Sequence, residues 1–361
     1  MKNVEWGEYT YKDLFYDIPI KRKLDKTYFD TNGKTPVFSA ESSNNGIMGY
    51  TNISADYITA NSTPLYIIFG DHTRNFNIAT EDFCVADNVK ILIPKIKLSI
   101  DTLLFITSAW KKCIPNKGYC RHWSIAQKVF FSLPTKNNQI DFDFMERFIA
   151  ELEAERIAEL EAYLSVTGLK DTQLTAEEQS ALKNFDDYLW QEFNVKDLFG
   201  ESTRGKRLKG DDRIKGTLPF VTAGEANEGI SAFIDNDVEI FSRNTTTIDM
   251  FGSAKYRNYD YGADDHIAVV HTEKLSKYAA IFVTTACHKS AHTGEFHYGH
   301  NFYAKDADNL SIFLPTKDGY HPDYEAMATL ISAVQKLVIT DVVKYSNDKI
   351  HTTKAVINNA P

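Results

Sequence analysis

The chain has 361 residues, of which 43% are hydrophobic and 25% charged, and this balance excludes an intrinsically disordered or fibrous protein. At roughly 100–200 residues per domain, its length indicates two or three domains. Four cysteines are too few for a disulfide scaffold and favour a reducing compartment, most simply the cytoplasm. No apolar run approaches about 18 residues, and no apolar stretch follows a basic one at the start, so neither a membrane span nor a secretory signal is predicted.

The negative charge of the chain is concentrated in one segment. The formal net charge of the whole chain is −9. Residues 141–192 carry 14 acidic and 4 basic side chains, a net charge of −10, so the remainder sums to +1. A local basic surface for nucleic acid is therefore compatible with the sequence, although the chain as a whole is acidic.

Apolar runs and helical patterns follow one another in an order that occurs twice. In chain order, the predicted elements are a strand at 89–93, a helix at 103–110, a long helix at 141–164, a second helical stretch opened by a capping box at 175–178 and reaching about residue 188, a strand at 267–270, a helix at 275–287, and a short final helix with Pro322 at its start. The regular apolar pattern of this final helix ends after Tyr345. The central helical segment is interrupted around 168–172, and the predicted fold class is α+β with strand-rich units.

Six short sequence matches recur in the same order at offsets between 178 and 184 residues. The matched pairs are 11–15 with 195–199, 36–47 with 219–230, Phe69-Gly70 with Phe251-Gly252, 87–89 with 265–267, 133–135 with 314–316, and 141–145 with 323–327. One such match could arise by chance, but six in register indicate an internal duplication of about 180 residues.

The two helices that end the repeats have narrow apolar stripes. Burying each stripe against the other, in an antiparallel pair, is the simplest arrangement. The residues predicted for helix pairing or partner binding are Phe148, Leu152, Leu160, Leu330, Val334 and Leu337. The other face of the first helix is rich in glutamate and suits solvent or the basic surface of a protein partner.

The familiar signatures of a self-contained enzyme are absent from the sequence. No two prolines are adjacent, which excludes the Pro-Pro-aromatic motif of amino-methyltransferases. There is no dinucleotide-binding glycine loop, no complete P-loop and no Gly-x-Ser-x-Gly elbow. One alternative stays open at this point: a metal-dependent enzyme that uses Cys287, His292, His297 and His300. Another is a scaffold or DNA mimic that uses the acidic helix as a decoy.

Polar loops in both repeats interleave cations and amides with aromatic residues. Such side chains can meet phosphate groups, and Arg or Asn can read guanine or adenine edges. The residues predicted to bind DNA are Arg74, Asn75, Lys111, Lys112, Lys117, Arg121, His122, Arg243, Asn244, Lys255, Arg257, His297, His300 and Asn301. No catalytic residue and no metal ligand is assigned.

With these segments in hand, nearly the whole chain resembles the DNA-specificity (S) subunits of type I restriction–modification systems, including the short form found in type IIB systems. The segments that carry the resemblance are 12–15 and 196–199, 219–223 with Gly229-Ile230, 264–266, and 133–135 with 314–316. The resemblance implies two target-recognition domains, at 1–140 and 190–318, with a helical spacer at 141–189 and a C-terminal helix and tail at 319–361. The long helices between the domains would be antiparallel and coiled-coil-like.

The same resemblance implies a non-catalytic chain that binds double-stranded DNA. Its implied partners are methyltransferase (M) subunits, up to two per chain, and in restriction complexes a nuclease and translocase (R) subunit. S-adenosylmethionine is expected in the partner methyltransferase, which would modify adenine N6, and no cofactor is expected in this chain. The differing loops predict an asymmetric bipartite target. A helix over 141–164 rises on the order of 35 Å, which corresponds to roughly ten base pairs between module centres.

Overall fold

The computed structural model describes residues 4–59 and 65–358, and the chain divides into two compact units. Unit 1 comprises residues 1–160 together with 352–361, and unit 2 comprises residues 161–351. This division falls inside the first long helix. The domain boundaries predicted from the sequence follow changes of element type rather than of packing, and they stay a prediction.

Unit 1 is rich in short strands. They are β1 (Glu5–Tyr9), β2 (Phe15–Ile18), β3 (Thr35–Phe38), β4 (Ile47–Thr51), β5 (Tyr66–Gly70), β6 (Phe76–Ala79), β7 (Cys84–Val85), β8 (Val89–Pro94), β9 (Phe131–Lys136) and β10 (Gln139–Ile140). The helices are α1 (Tyr11–Leu14), α2 (Ile100–Cys113), α3 (Trp123–Ala126) and α4 (Phe142–Val166), of which α4 continues into unit 2 from Glu161. The strands form three small sheets, ordered β2-β8-β5-β6, β4-β3-β7 and β1-β9-β10.

Unit 2 repeats this plan. Its strands are β11 (Leu189–Asn194), β12 (Thr203–Arg204), β13 (Lys215–Val221), β14 (Ile230–Ile234), β15 (Thr245–Asp249), β16 (Ala254–Arg257), β17 (Gly262–Ala263), β18 (Ile267–Val270) and β19 (Ser311–Thr316). Its helices are α5 (Ala176–Lys183), α6 (Val195–Phe199), α7 (Lys277–Ala291), α8 (Ala304–Asp308) and α9 (Tyr324–Asn358), of which α9 continues into unit 1 from residue 352. The sheets are ordered β12-β18-β15-β16, β14-β13-β17 and β11-β19, so the predicted α+β duplication is confirmed.

The duplication extends to individual hydrogen bonds. The Asp141 carboxylate accepts the amide of Phe144 at 2.9 Å, and the Asp323 carboxylate accepts the amide of Ala326 at 3.0 Å. Each aspartate therefore caps the helix that ends its repeat. Pro322 accordingly precedes the cap instead of occupying the first helical position that the sequence analysis gave it.

One of the six sequence matches is wrong in register. Gly70 pairs with Val89 across β5 and β8, whereas the residue that pairs with Ile267 in the second repeat is Asp249. Gly70 therefore corresponds to Asp249 rather than to Gly252. Two residues beyond the strand ends, His72 corresponds to Phe251. The Phe-Gly similarity misled because the dipeptide lies three residues later in the second repeat.

The aromatic side chain of Trp110 lies at the centre of the core of unit 1. It is fully buried, stacks on Tyr11 and Phe15, and donates its indole N–H to the carbonyl of Ala126 at 2.9 Å. The corresponding α7 position in unit 2 is Cys287, which is also fully buried. Helices α2, which carries Trp110, and α7 therefore pack their inner faces on the sheets. Their C-terminal ends lie beside the turns after β5 and β15.

The long helices differ in part from prediction. Helix α4 and the capping box of Thr175 with Glu178 are confirmed, and α4 ends before Gly168, which adopts φ +69°. Helix α5 ends at Lys183, earlier than predicted. The expectation of a short final helix is wrong, because α9 has 35 residues. The apolar pattern fades after Tyr345 because the next inward position is Ser346, which is fully buried and hydrogen-bonded to Glu161 at 3.5 Å.

No membrane span is predicted from the sequence, but α9 is longer and more apolar than that prediction assumed. An 18-residue stretch within Tyr324–Ile350 has a mean hydropathy of 1.5, so the helix is long and apolar enough, by length and composition alone, to cross a membrane. Within unit 2, however, Ser332 and Lys336 of this segment hydrogen-bond to Glu178 of α5. That face of the helix therefore packs on protein and carries polar contacts there.

Candidate nucleic-acid interface

In unit 1, the turn after β5 and the loop after α2 are tied together. Arg74 adopts φ +61° and donates to the carbonyl of Ile114 at 2.8 Å, and the Lys111 ammonium donates to the Asn75 side chain at 2.6 Å. The structure thus brings these three predicted DNA-binding residues to one place. Their polar groups are half-buried and hold the two segments against each other.

His122 is not available to DNA in this structure, so its prediction as a DNA contact is wrong. Its side chain is fully buried, and Nδ1 lies 3.0 Å from the carbonyl oxygen of Asp71. The other ring nitrogen accepts the backbone amide of Lys117 at 3.2 Å, so the neutral tautomer with a proton on Nδ1 satisfies both contacts. His122 therefore fixes the α2–α3 loop onto the turn after β5.

The turn after β5 and the segment from the end of α2 to α3 form one edge of unit 1. Three predicted cations stay exposed at this edge, namely Lys112, Lys117 and Arg121. Arg121 also lies near Asp87. The pKa of the Asp87 carboxyl is below its usual range, chiefly because Lys23 donates to it at 2.6 Å, with a smaller contribution from Arg121. The α2–α3 loop therefore exposes positive charge, and His122 holds its backbone against the turn after β5.

In unit 2, Arg257 is an interior residue, and its prediction as a DNA contact is wrong. Its side chain is 1% exposed, and its guanidinium donates to Thr247 at 2.9 Å and to the carbonyl of Glu228 at 2.8 Å. It also donates to the Tyr259 hydroxyl at 3.0 Å and lies 5.9 Å from the ring centre of Tyr261. A buried guanidinium that is satisfied in this way cannot reach a base without unfolding its surroundings.

Asn244 is likewise committed to internal contacts, so we correct its assignment too. It adopts φ +66°, its amide donates to the carbonyl of Leu275 at 2.7 Å, and its oxygen accepts the Tyr256 hydroxyl at 2.9 Å. Asparagine tolerates this left-handed backbone better than most residues. The side chain therefore ties the start of β15 to the start of α7.

The remaining predicted side chains of unit 2 are closer to solvent. Arg243 is exposed and lies 3.4 Å from the Asp260 carboxylate. Lys255 is largely covered and pairs with Glu225 at 3.1 Å, so its charge is already compensated inside the unit. His297 and His300 are exposed and form a backbone bridge that closes a tight hairpin.

Asn301 lies at the base of this hairpin. Its amide donates to the Tyr303 hydroxyl at 3.3 Å, whereas its side-chain oxygen is buried and has no hydrogen-bond partner among residues 4–59 and 65–358. A cleft of about 240 Å³ opens beside it, lined by Tyr298, Gly299, His300, Asn301, Tyr303, Lys305 and Asp306. The cleft is polar and lies beside the hairpin that carries the exposed His297 and His300.

The metal-dependent alternative is not supported. Cys287 is fully buried among apolar residues, and burial raises the pKa of its thiol to about 12, so it is a poor thiolate ligand. His292 instead approaches the carbonyl of Phe251 at 3.2 Å, and His297 and His300 lie on the hairpin. Among residues 4–59 and 65–358, the group with a spacing suited to a metal ion is Asp264, Asp265 and His266, which contains none of the four.

The residues predicted for helix pairing are placed unevenly. Phe148 packs edge-on against Phe105 of α2 at 5.6 Å within unit 1, and its role in helix pairing stays a prediction. Leu330 is buried in unit 2, whereas Val334 and Leu337 are 44% and 53% exposed. Leu152 is also exposed and Leu160 is half-buried. The pairing of those two with α9 stays a prediction.

Within unit 2, the end of α4 and the segment after it run antiparallel to α9. Lys336 lies 3.2 Å from Asp171, and ten residues later Ser346 reaches Glu161, which precedes Asp171 by ten residues. Opposite sequence directions along the two segments define the antiparallel pair. Between Lys336 and Ser346, α9 exposes Leu337, Val338 and Val342 as an apolar stripe, with Val338 74% exposed.

Both repeats also contain an aromatic pair that the sequence analysis did not single out. In unit 1, Tyr119 stacks on His72 with ring centres 4.4 Å apart, and in unit 2, Tyr298 meets Phe251 edge-on at 5.3 Å. The signal available in the sequence was a tyrosine at the matching place in both loops. The register error at Phe251 hid its correspondence with His72.

The duplicated fold agrees with comparisons to known proteins. A family model described as the type I restriction modification DNA specificity domain matches residues 3–162 and again 188–345. The chain is 23% identical over 348 residues to the specificity subunit S.BcgI of a type II restriction enzyme from Heyndrickxia coagulans, covering 93% of this chain and 96% of that protein. It is similar in fold to the type I restriction–modification S subunit of M. genitalium, with a TM-score of 0.59, 12% identity, and 99% and 95% of the two chains covered.

Because the family model spans both repeats, the chain belongs to the type I restriction–modification DNA specificity family. It is a specificity subunit with two target-recognition domains. The prediction of a DNA specificity subunit, made from the duplicated segments, is thereby confirmed, and the alternatives of a metal enzyme and a DNA mimic are not supported. The exposed DNA-binding residues of the polar loops stay predictions.

Proposed function

We propose that each unit reads one half of an asymmetric, bipartite DNA target and that the chain positions a partner methyltransferase on it. The observation that carries this proposal is the duplication of one binding edge with different chemistry. In unit 1, that edge exposes Lys117 and Arg121, whereas in unit 2 it exposes His297 and His300. Arginine can bind guanine through two hydrogen bonds, whereas histidine offers single contacts, so the half-sites should differ.

The partners follow from the surfaces that the two units leave uncovered. The apolar stripe on α9 includes Leu337 and Val338, and segment 141–192 has a net charge of −10, which repels phosphate. Both features suit protein rather than DNA. We infer that they hold methyltransferase subunits, up to two per chain, and that a nuclease and translocase subunit joins in complexes that restrict DNA.

The chemistry would reside in those partners. We propose that the chain itself is non-catalytic, that the methyltransferase binds S-adenosylmethionine, and that the product is N6-methyladenine. We further infer that the complex works in the cytoplasm, where it meets chromosomal DNA. Methyl transfer to DNA by the highly purified single chain would contradict the non-catalytic role.

Methylome sequencing of a host that produces the chain with its methyltransferase tests the proposal. The expected result is methylated adenine in a motif with two unlike halves and an unread spacer. A continuous or palindromic motif would contradict the assignment of one half-site to each unit. As a matched control, the same methyltransferase produced without the chain should leave that motif unmethylated.

A second experiment tests the partner surface. Replacing Leu337 and Val338 together with aspartate should abolish co-purification of the methyltransferase, because charge is introduced into the apolar stripe. The control replaces Tyr320, which is 82% exposed on the turn before α9, with aspartate and should leave the complex intact. An unchanged elution volume of the stripe variant with its partner would count against this surface.

A further inference from the structure

The aromatic pairs formed by Tyr119 with His72 and by Tyr298 with Phe251 occupy corresponding places in the two repeats. His72 lies two residues after the end of β5, and Phe251 lies two residues after the end of β15. Tyr119 lies in the loop between α2 and α3, and Tyr298 lies in the loop between α7 and α8. Each pair thus joins the same turn to the same loop.

Each loop is fixed to the neighbouring turn by a backbone hydrogen bond. The amide of His122, three residues after Tyr119, donates to the carbonyl of Asp71 at 2.9 Å. The amide of Phe302, four residues after Tyr298, donates to the carbonyl of Met250 at 3.0 Å. Asp71 and Met250 are the first residues after β5 and β15, so the tyrosines project from backbone that is already positioned.

The tyrosines are far more exposed than a packing role requires. Tyr119 is 89% exposed and Tyr298 is 85% exposed. Among the described residues, neither hydroxyl has a hydrogen-bond partner, and each ring is in contact with one aromatic neighbour. A side chain held by its ring while its hydroxyl points to solvent is prepared to bind through the hydroxyl.

The surroundings of the two tyrosines share little else. When the loops are aligned on them, the three residues on either side all differ, from 116–118 and 120–122 to 295–297 and 299–301. The ring geometry differs as well, because Tyr119 lies at 4° to His72 whereas Tyr298 lies at 84° to Phe251. What the two loops share is the hydroxyl at the tip. A feature common to both units, in loops that read different bases, suits the part of DNA that is common to all sequences.

We propose that Tyr119 and Tyr298 are duplicated DNA-backbone contacts, one per half-site, whose hydroxyls donate to phosphate oxygens while flanking side chains read the bases. Tyrosine hydroxyls are common donors to phosphate, and such contacts fix register without carrying sequence information. The neighbouring Lys117 and Arg121 in unit 1 supply the positive charge that would bring phosphate to this edge. This inference rests on the proposed function, since it assumes that these edges bind DNA.

The test uses the full chain in complex with the methyltransferase with which it co-purifies. Wild type, Tyr119→Phe, Tyr298→Phe and Tyr320→Phe are each offered a pool of duplexes with a randomised central segment, and affinity is then measured on the selected duplex. Phenylalanine keeps the ring and its aromatic contact and removes the hydroxyl alone. Tyr320 is an exposed tyrosine outside both edges and serves as the matched control.

The expected result is a loss of about tenfold or more in affinity for Tyr119→Phe and for Tyr298→Phe, since a hydrogen bond to a charged group is removed. The selected sequence and the salt dependence of binding should stay as in wild type, because no base contact and no charge is lost. Tyr320→Phe should bind as wild type does. The loss should be of similar size on specific and unrelated duplexes.

Three results would overturn the inference in distinguishable ways. If wild type enriches a bipartite sequence and both Phe variants bind it as tightly, the hydroxyls make no contact and the inference alone fails. If either Phe variant enriches a different half-site, that tyrosine reads bases and the inference also fails. If wild type enriches no duplex, the proposed function fails and the inference falls with it.

Discussion

The ammonium group of Lys336 lies 3.0 Å from the carboxylate of Glu178, and this pair fastens α5 to α9. Both side chains are largely covered, at 14% and 8% exposure. Ser332 adds a hydrogen bond of 2.6 Å to the other carboxylate oxygen, and the amide of Thr175 donates to Glu178 at 2.8 Å. Glu178 therefore serves at once as the third residue of a capping box and as the anchor of α5 on α9.

Replacing Glu178 with glutamine should loosen α5. The substitution keeps the shape but removes the charge, which leaves two hydrogen bonds weaker and one donor of Lys336 poorly matched. We expect a loss of about 1–3 kcal/mol in the free energy of unfolding. Chemical denaturation measures that loss, and hydrogen exchange should show faster exchange of the amides of α5. Glu177→Gln is the control, because Glu177 is exposed and should change stability little. Equal effects of the two substitutions would contradict the anchor.

The same pair predicts how stability depends on pH. Burial acts to raise the pKa of the Glu178 carboxyl, but hydrogen bonds from Ser332, Thr175 and Lys336 outweigh it, so the pKa lies below its usual range. A depressed folded-state pKa gives stability that is present above the unfolded-state value, about 4.3, and is lost as pH falls through the folded value. The stability difference between wild type and Glu178→Gln should be constant near neutral pH and shrink below about pH 4. A difference that persists undiminished at pH 3 would contradict this linkage.

Arg257 predicts a second effect on stability. Replacing it with alanine leaves Thr247, the carbonyl of Glu228 and Tyr259 without their buried donor, which should cost about 2–4 kcal/mol. Arg243→Ala, on the exposed side of the same region, should change stability by no more than about 0.5 kcal/mol. Thermal unfolding measures both. A marginal effect of Arg257→Ala on stability, together with altered sequence recognition, would restore it as a base contact.

Cysteine reactivity tests the rejection of the metal hypothesis. Burial raises the pKa of the Cys287 thiol to about 12, whereas Cys113 is exposed at the end of α2. Because the thiolate is the reactive form, iodoacetamide should label Cys113 in the native protein and should reach Cys287 only after denaturation. Mass spectrometry of the labelled peptides measures this, with and without added zinc. Rapid native labelling of Cys287 that zinc suppresses would revive the metal site.

Much of the architecture was accessible from the sequence because it is written twice. The strand at 267–270 and the start of α9 near Asp323 follow from local patterns that tertiary packing did not override. The capping box of Thr175 and Glu178 was predicted from two residues alone. The length of α9 was not, because the inward Ser346 breaks the apolar stripe while its hydroxyl finds Glu161. A polar residue in a stripe looks like the end of a helix unless its partner, 185 positions away, is known.

The loops were harder to predict than the elements that carry them. Arg257 and Arg121 look alike in sequence, since both lie among aromatic and polar residues in loop-like stretches. Only the structure shows that Arg257 is interior, whereas Arg121 is exposed. His122 is the next residue after Arg121, yet its side chain is buried and holds the loop against the turn after β5. Burial of a single polar side chain depends on contacts far along the chain, such as that between His122 and Asp71, and local composition does not encode them.

The final prediction concerns the independence of the two half-sites. Arg121→Ala should alter or weaken reading of one half-site, and His300→Ala should affect the other, because each side chain is exposed on a different unit. A lost base contact costs about 1–3 kcal/mol and relaxes specificity at one position, whereas a lost phosphate contact weakens all sequences alike and lowers the salt slope by about one. Selection from randomised duplexes, followed by affinity measurements at several salt concentrations, separates these outcomes. Lys209→Ala, an exposed cation of unit 2 outside the α7–α8 loop, serves as the control for general loss of charge. If Arg121→Ala and His300→Ala relaxed the same position of the target, one half-site would be read by both units, and the assignment of one unit to each half would be wrong.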